Sequence, residues 1–110
     1  MRLQYTEISP YAPDSRNHHT KTVEIQMCNS SSWKNVFQWL RGFEALEHLA
    51  VRDSSLTDED CLHLHEVNQV VHLNLEHNKL TPKSAVQFES LVKLTMLNVC
   101  KWVITEYGTN

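Results

Sequence analysis

Seven histidines occur in this chain, and His48 and His72 are separated by 24 positions. Two imidazoles with a carboxylate such as Glu24 or Glu76 could bind zinc. Their spacing is not that of a known metal motif, however, and adjacent flat strands provide no tetrahedral cage, so we predict no metal site. A pH response stays open as an alternative, because neighbouring histidines gain charge together below about pH 6.5 and repel each other.

The same 24-residue interval separates two pairs of opposite charge, Arg52 with Glu76 and Asp53 with His77. If these residues lie on adjacent strands, each pair contributes about 0.2–1 kcal/mol. Such pairs stabilise a fold little, but they can fix the register in which a partner docks. We therefore expect both pairs to form and to belong to a recognition surface.

Nucleophilic catalysis has little support in the sequence. It needs an oriented base and an oxyanion hole in addition to a thiol or hydroxyl. Cys28 and Cys100 are expected on an exposed sheet face, whereas Cys61 is expected in the core. With only Gly42 and Gly108 in the chain, no glycine-rich phosphate loop is present. We predict no catalytic residue, no cofactor and no enzymatic activity.

The interval of 24 residues belongs to a repeat that spans most of the chain. Residues 70–81 fit the pattern LxxLxLxxNxL, and similar segments begin 24 residues before and after, at Leu46 and Leu94. A weaker copy begins at Thr22, with Ile25 and Met27 at its two central apolar positions. A fixed period of this length is typical of stacked structural repeats.

The second half of each repeat predicts a helix. Apolar residues recur there every three positions, as expected for one face of a helix: Phe37, Leu40 and Phe43; Cys61, Leu64 and Val67; Ala85, Phe88 and Leu91. Each helix also has a start signal. These signals are Ser30–Ser32 before the first helix, Thr57 with the acids that follow it, and Thr81 with Pro82.

This pattern resembles the leucine-rich-repeat family over residues 22–105. The period and the Leu56-Thr57-Asp58-Glu59 junction are similar to its bacterial and ribonuclease-inhibitor-like branches. The resemblance implies an α/β solenoid of about four strands and three helices, with a parallel sheet on the concave face and helices on the convex face. The chain departs from the family pattern at the ninth repeat position, where only Asn78 supplies asparagine and Ser30, Ser54 and Trp102 replace it.

The repeat alignment predicts which side chains share the concave face. Within each repeat the third, fifth, seventh and eighth residues should point to solvent. The third-position row is then Glu24, His48, His72 and Met96, and the fifth is Gln26, Ala50, Asn74 and Asn98. The seventh is Cys28, Arg52, Glu76 and Cys100, and the eighth is Asn29, Asp53, His77 and Lys101.

Because the family uses this face for recognition, the resemblance implies a protein-binding module with an unidentified protein partner. We name eight of the outward residues the concave patch: His48, Arg52, Asp53, His72, Asn74, Glu76, His77 and Asn98. A solvated face with no partner is the alternative interpretation.

The repeat also suggests the organisation of the chain. Residues 1–21 are expected to form an N-terminal cap or irregular segment, in which Leu3 and Tyr5 could belong to a short strand. Residues 22–105 form the repeat domain, and residues 106–110 form a tail. No fourth helix follows the last strand, so a second copy of the chain could pack at an uncapped C-terminal edge near Trp102. The alternatives are a natural stop, with Trp102 and Tyr107 folded over the last core layer, and a fragment of a longer repeat protein.

Composition limits the partners and the compartment. The net charge is −3 with histidine neutral, which argues against nucleic acid as the main partner. No apolar run of about 20 residues is present to span a membrane. Three widely spaced cysteines without a CxxC motif favour free thiols and a cytoplasmic location.

Overall fold

The computed structural model describes residues 2–4, 19–30 and 32–99, in which strands alternate with helices. The strands in this part are β1 (Arg2–Gln4), β2 (Thr22–Gln26), β3 (His48–Arg52), β4 (His72–Asn74) and β5 (Met96–Asn98). The helices are α1 (Trp33–Arg41), a central 3₁₀ helix (Asp60–Val67) and a last 3₁₀ helix (Pro82–Ser90). All neighbouring strands are parallel and lie in the order of the chain. The expected mixed α/β fold with a parallel sheet is therefore confirmed.

One face of the sheet packs against the helices and forms the core. Alternate strand residues point into it, and they are almost completely buried: Val23, Ile25, Leu49, Val51, Leu73 and Leu75. The residues between them are only half-buried in β2, β3 and β4. We call the surface they form the open face of the sheet; it is the face on the side opposite the helices.

The helices differ in geometry because their apolar spacing differs. The buried residues of the central helix recur at every third position: Cys61, Leu64 and Val67. In a 3₁₀ helix, side chains three residues apart lie directly above one another, so this spacing fits three residues per turn. The buried residues of α1 mix intervals of three and four, which fits an α-helix: Trp33, Val36, Phe37 and Leu40.

Two of the three predicted helix starts, at Ser32 and Thr81, are confirmed by side-chain hydrogen bonds. Ser32 Oγ accepts from the backbone N–H of Asn35 at 3.3 Å, and Thr81 Oγ1 accepts from the N–H two residues later at 3.3 Å. Thr57 and Asp60 bond reciprocally: the Thr57 N–H donates to Asp60 Oδ2 at 2.9 Å, and the Asp60 N–H donates to Thr57 Oγ1 at 3.4 Å. This reciprocal pair closes the turn that leads into the central helix, which begins at Asp60 and whose N-cap, Glu59, makes no side-chain capping bond.

The predicted buried face of the last helix is only partly correct. Ala85 and Phe88 are partly exposed, whereas Ser84 is fully buried and Leu91 is buried as expected. The Ser84 hydroxyl donates to the backbone oxygen of Thr81 at 2.9 Å, so its burial leaves no unsatisfied polar group.

The predicted alignment of the first repeat is wrong by two residues. β2 pairs with β3 so that Thr22 lies beside His48 and Glu24 lies beside Ala50. The sequence alignment had placed Glu24 beside His48. Side chains alternate along a strand with period two, so a shift of two residues keeps each one on the same face. The alternation of apolar residues in this segment therefore could not distinguish the two alignments.

Two backbone features recur with the observed register. A left-handed conformation follows β2, β3 and β4 at equivalent positions: Met27 (φ 52°), Asp53 (φ 51°) and His77 (φ 59°). Non-glycine residues adopt this conformation at a cost of about 1–2 kcal/mol, so its recurrence indicates that the chain must turn sharply there. The second feature is a backbone oxygen just before a strand that accepts two consecutive N–H groups at the start of the neighbouring strand. It recurs before β2, β3 and β4, at Lys21, Glu47 and Val71.

Asn78 connects the turns that follow β3 and β4. Its Oδ1 accepts from the N–H groups of Ser54 (3.0 Å) and Leu56 (3.2 Å). Its Nδ2 donates to the backbone oxygens of Val51 (2.7 Å) and Leu75 (3.0 Å), and more weakly to that of the residue after Leu75. One carboxamide thus satisfies four or more backbone groups that the turns would otherwise leave without partners.

Smaller side chains occupy the equivalent positions in the two preceding repeats. Ser54 Oγ accepts from the N–H of Cys28 at 3.2 Å and donates to the oxygen of Arg52 at 2.9 Å. Cys28 Sγ contacts the oxygen of Gln26 at 3.4 Å. The prediction that Cys28 points to the open face is therefore wrong: the side chain is 4% exposed and lies in the core.

We expect Asn78→Ala to lower the free energy of unfolding by about 2 kcal/mol, because it leaves partly buried backbone groups without partners. Chemical denaturation followed by circular dichroism measures this change. The control is Asn35→Ala, which alters an exposed asparagine of α1. Equal stabilities of the two variants would contradict the role assigned to Asn78.

Candidate binding face

A shallow depression of about 270 Å³ lies on the open face and crosses β2, β3, β4 and β5. Its outward-pointing lining residues are Thr22, Glu24, His48, Ala50, His72, Asn74, Met96 and Asn98. Ala50 lies between larger residues on the neighbouring strands, Glu24 and Asn74, and its single methyl group lowers the surface there. Four members of the concave patch are thus brought together: His48, His72, Asn74 and Asn98.

The two histidines of the depression are direct neighbours, as the sequence predicted. His48 of β3 pairs in register with His72 of β4. Their rings meet edge to face, with centroids 4.3 Å apart and an interplanar angle of 89°. This arrangement is favoured for ring pairs because the positive edge of one ring approaches the negative face of the other. The hypothesis that this pair makes binding sensitive to pH stays a prediction.

The pair does not form part of a metal-binding cluster in the described residues. Across residues 2–4, 19–30 and 32–99, no three histidine, cysteine or acidic side chains converge in a way that could hold an ion. The chemistry that this face offers is hydrogen bonding and ring contact.

A network of two carboxamides and one carboxylate joins Asn74 and Asn98 to a fifth member of the concave patch, Glu76. Asn74 Nδ2 donates to Glu76 Oε1 at 2.8 Å, and the backbone N–H of Glu76 donates to Asn74 Oδ1 at 3.0 Å. Asn98 Nδ2 donates to the same Glu76 oxygen at 3.2 Å. The network fixes both amides beside the depression and occupies the Glu76 carboxylate.

The two predicted ion pairs do not form. Arg52 is not paired with Glu76, whose carboxylate accepts from the two asparagines instead. Asp53 is not paired with His77, because both residues have left the extended strand conformation for the left-handed one. The rule that pairs opposite residues on neighbouring strands holds only while both remain extended.

Arg52 is left in an unusual position by this arrangement. It lies on the open face at the end of β3 and is half-buried. Its Nε is inaccessible to solvent and has no hydrogen-bond partner among the described residues. A guanidinium is always charged, so this is a cation that forms no ion pair within the described part of the chain.

Sequence reasoning missed the ion pair at the other end of the face. Arg2 of β1 lies beside Glu24 of β2, and its guanidinium contacts Glu24 Oε2 through two nitrogens, each at 2.9 Å. The sequence predicted a short strand around Leu3, and β1 confirms it for residues 2–4. The partner of Arg2 depends on the register of β2, which the repeat alignment had placed two residues away.

A second polar cluster lies on the helices, away from the open face. Gln38 donates to Glu66 at 3.3 Å, and Arg41 of the same helix α1 donates to it at 3.2 Å. The Gln38 hydrogen bond, with further help from Arg41 and from the charge of His65, lowers the pKa of the Glu66 carboxyl despite its burial. Arg41 and Gln38 are 25 and 28 residues from Glu66 in the chain, so no local sequence pattern indicates the cluster.

The predicted uncapped edge lies only partly within the described residues. Trp102 and Cys100 fall outside them. β5 is the last described strand, and its inward residue Leu97 is 38% exposed, compared with 2% for Leu49 and Leu73 at the same register position. Met96 is also exposed.

Comparisons with protein-family models, with curated proteins and with solved structures found no match to this chain. In the described residues, no helix has the length and apolar character needed to cross a membrane.

The Cys61 thiol is unsuited to nucleophilic chemistry. Burial, together with the charges of Asp58 and Asp60, raises the pKa of the Cys61 thiol to about 12. Because the thiolate is the reactive form, raising the pKa by three units from 9.0 lowers its population about a thousandfold near neutral pH.

We therefore expect Cys61 to resist alkylation by iodoacetamide at pH 8 in the folded protein. In urea the thiol returns to its ordinary pKa, and it should be modified at least about a hundredfold faster. Peptide mass spectrometry over a time course measures both rates at Cys61 itself. Similar rates in the two conditions would show that the thiol is accessible and ionised in the fold.

Proposed function

We propose that this chain is a non-catalytic protein-binding module that receives its partner on the open face of the sheet. The observation that carries the proposal is the depression across β2 to β5, where the histidine pair, the fixed amides of Asn74 and Asn98, and the Ala50 floor lie side by side. Apolar floors with polar rims are typical of protein interfaces.

The shape of the depression favours a protein segment over a small molecule. Small-molecule sites are enclosed clefts of about 300–1,000 Å³ that bury most of the ligand. The depression here is smaller and open along one side of the sheet. A side chain of a partner could fill it while the rest of the partner contacts the surrounding strands.

We further propose that the fold is a leucine-rich-repeat solenoid of the bacterial and ribonuclease-inhibitor-like type. The left-handed residue that recurs after β2, β3 and β4 supports this proposal, as does the carbonyl that accepts two N–H groups before each of these strands. The hydrogen bonds of Asn78 support it as well, because they join one turn to the next. Repeat folds of this kind present extended binding faces.

A cytoplasmic location is part of the proposal. Cys28 and Cys61 are both free and buried. Free thiols are typical of proteins from reducing compartments, where disulfides rarely persist.

The test places a photo-crosslinking amino acid at Ala50 in the depression or, as the control, at Lys34 on the exposed side of α1. In an extract of the source cells, we expect a specific crosslinked protein from position 50 only. His72→Asp in the position-50 protein should remove that product while leaving the melting temperature within a few degrees.

Identical products from positions 50 and 34 would contradict binding on the open face. A product from position 50 that survives His72→Asp would also contradict it, because the histidine pair forms one wall of the depression.

A second candidate function is assembly with another copy through β5. The exposure of Leu97 and Met96 favours it, because an edge strand with apolar side chains and unpaired backbone groups invites pairing. In that case the turn after β3, which contains Asp53, would not belong to the contact between the two copies, because β4 lies between β3 and β5.

If the chain assembles through β5, light scattering should give the mass of a dimer or larger species at micromolar concentrations. Leu97→Asp and Trp102→Asp should each restore the monomer mass, because a charge at the contact opposes burial. Val86→Asp serves as the control, since Val86 is an exposed apolar residue of the last helix. A monomer mass for the unaltered chain would rule this function out.

A further inference from the structure

We propose that Arg52 anchors an acidic segment of the partner by binding the side-chain carboxylate of an aspartate or glutamate. The inference rests on the proposed function, since it names the chemistry of the partner that the open face receives. It starts from the charges that this face carries and from which of them are already compensated within the fold.

Two acidic side chains of the open face, those of Glu24 and Glu76, already have partners within the fold. Glu24 is held by the guanidinium of Arg2 at 2.9 Å. Glu76 accepts hydrogen bonds from the amides of Asn74 and Asn98, at 2.8 and 3.2 Å. A cationic partner would therefore have to compete with contacts that these carboxylates already make.

Arg52 is the cation on this face that lacks such a contact. Within residues 2–4, 19–30 and 32–99 its guanidinium makes no ion pair and no hydrogen bond, and its Nε is inaccessible to solvent. Holding a half-buried charge without a partner costs free energy. A carboxylate supplied from outside the fold would recover that cost on binding.

The geometry selects how the carboxylate binds. Because Nε is inaccessible, the two terminal Nη nitrogens are the donors that an incoming group can reach. A planar guanidinium offers these two donors to the two oxygens of one carboxylate in parallel. The pair would lie close to the depression, because Arg52 is two residues beyond Ala50 on β3, or about 7 Å along the strand.

The surroundings favour a carboxylate over a phosphate. Asp53 follows Arg52 in the chain, and Glu76 lies in the turn after the neighbouring strand β4. With one guanidinium and two carboxylates, the charge of these three side chains is net negative, and a dianion feels this net repulsion twice as strongly as a monoanion. A singly charged aspartate or glutamate side chain gains the contact with Arg52 at the smaller electrostatic cost.

The probe for the test is a library of random displayed peptides, selected on the full chain. We expect the selected peptides to be enriched in aspartate or glutamate at one position, and Ala50→Trp, which fills the depression, to abolish their binding. Arg52→Gln should weaken a selected peptide at least tenfold, and so should replacing its acid with the corresponding amide. The matched control is Arg41→Gln on helix α1, which should leave the affinity unchanged.

A second measurement avoids the risk that the Arg52 variant misfolds. In ¹H–¹⁵N spectra of the unaltered protein, the Nε–H signal of Arg52 should shift on addition of an acidic peptide, whereas that of Arg41 should not. The amide form of the same peptide should leave both signals in place.

The outcomes separate this inference from the proposed function. If Ala50→Trp abolishes binding but the selected peptides carry no acid, the role of Arg52 is overturned and the binding face stands. The same conclusion follows if such peptides bind the Arg52→Gln variant as well as the unaltered protein. Preference for a phosphoserine in place of the acid overturns the carboxylate assignment. Peptides whose binding survives Ala50→Trp overturn the proposed function together with this inference.

Discussion

The carboxamide of Asn78 is the interaction on which the arrangement of the open face depends. It binds backbone groups in the turns after β3 and after β4, and so fixes the offset between these two strands. That offset sets His48 beside His72 and Ala50 beside Asn74. A different offset would separate the rings and fill the depression with larger side chains.

The sequence predicted those parts of the fold that depend on local chemistry or on a clear period. Ser32 and Thr81 cap their helices as expected, because capping depends only on residues within one turn. The contact of His48 with His72 was predictable because two strong copies of the repeat fixed their register. Half of the concave patch was therefore correctly placed around one depression.

The remaining features of the site depend on which of several possible partners a side chain binds, and a repeat pattern does not determine that choice. Glu76 could bind either Arg52 or two asparagines, and the asparagines of β4 and β5 are the partners in the fold. The register of β2 was ambiguous because a two-residue shift preserves the inward and outward faces. Arg2 and Glu24 could be matched only once that register was known.

The series Cys28, Ser54 and Asn78 has a consequence for the order in which the protein opens. The three side chains occupy equivalent turns, but their hydrogen bonds become fewer and weaker toward the N-terminal side. A thiol is a weak donor, so the turn after β2 is held less firmly than the turn after β4. Amide protons around β2 should therefore exchange with solvent through local opening that leaves β3 and β4 closed, and the sheet should come apart from its N-terminal strands.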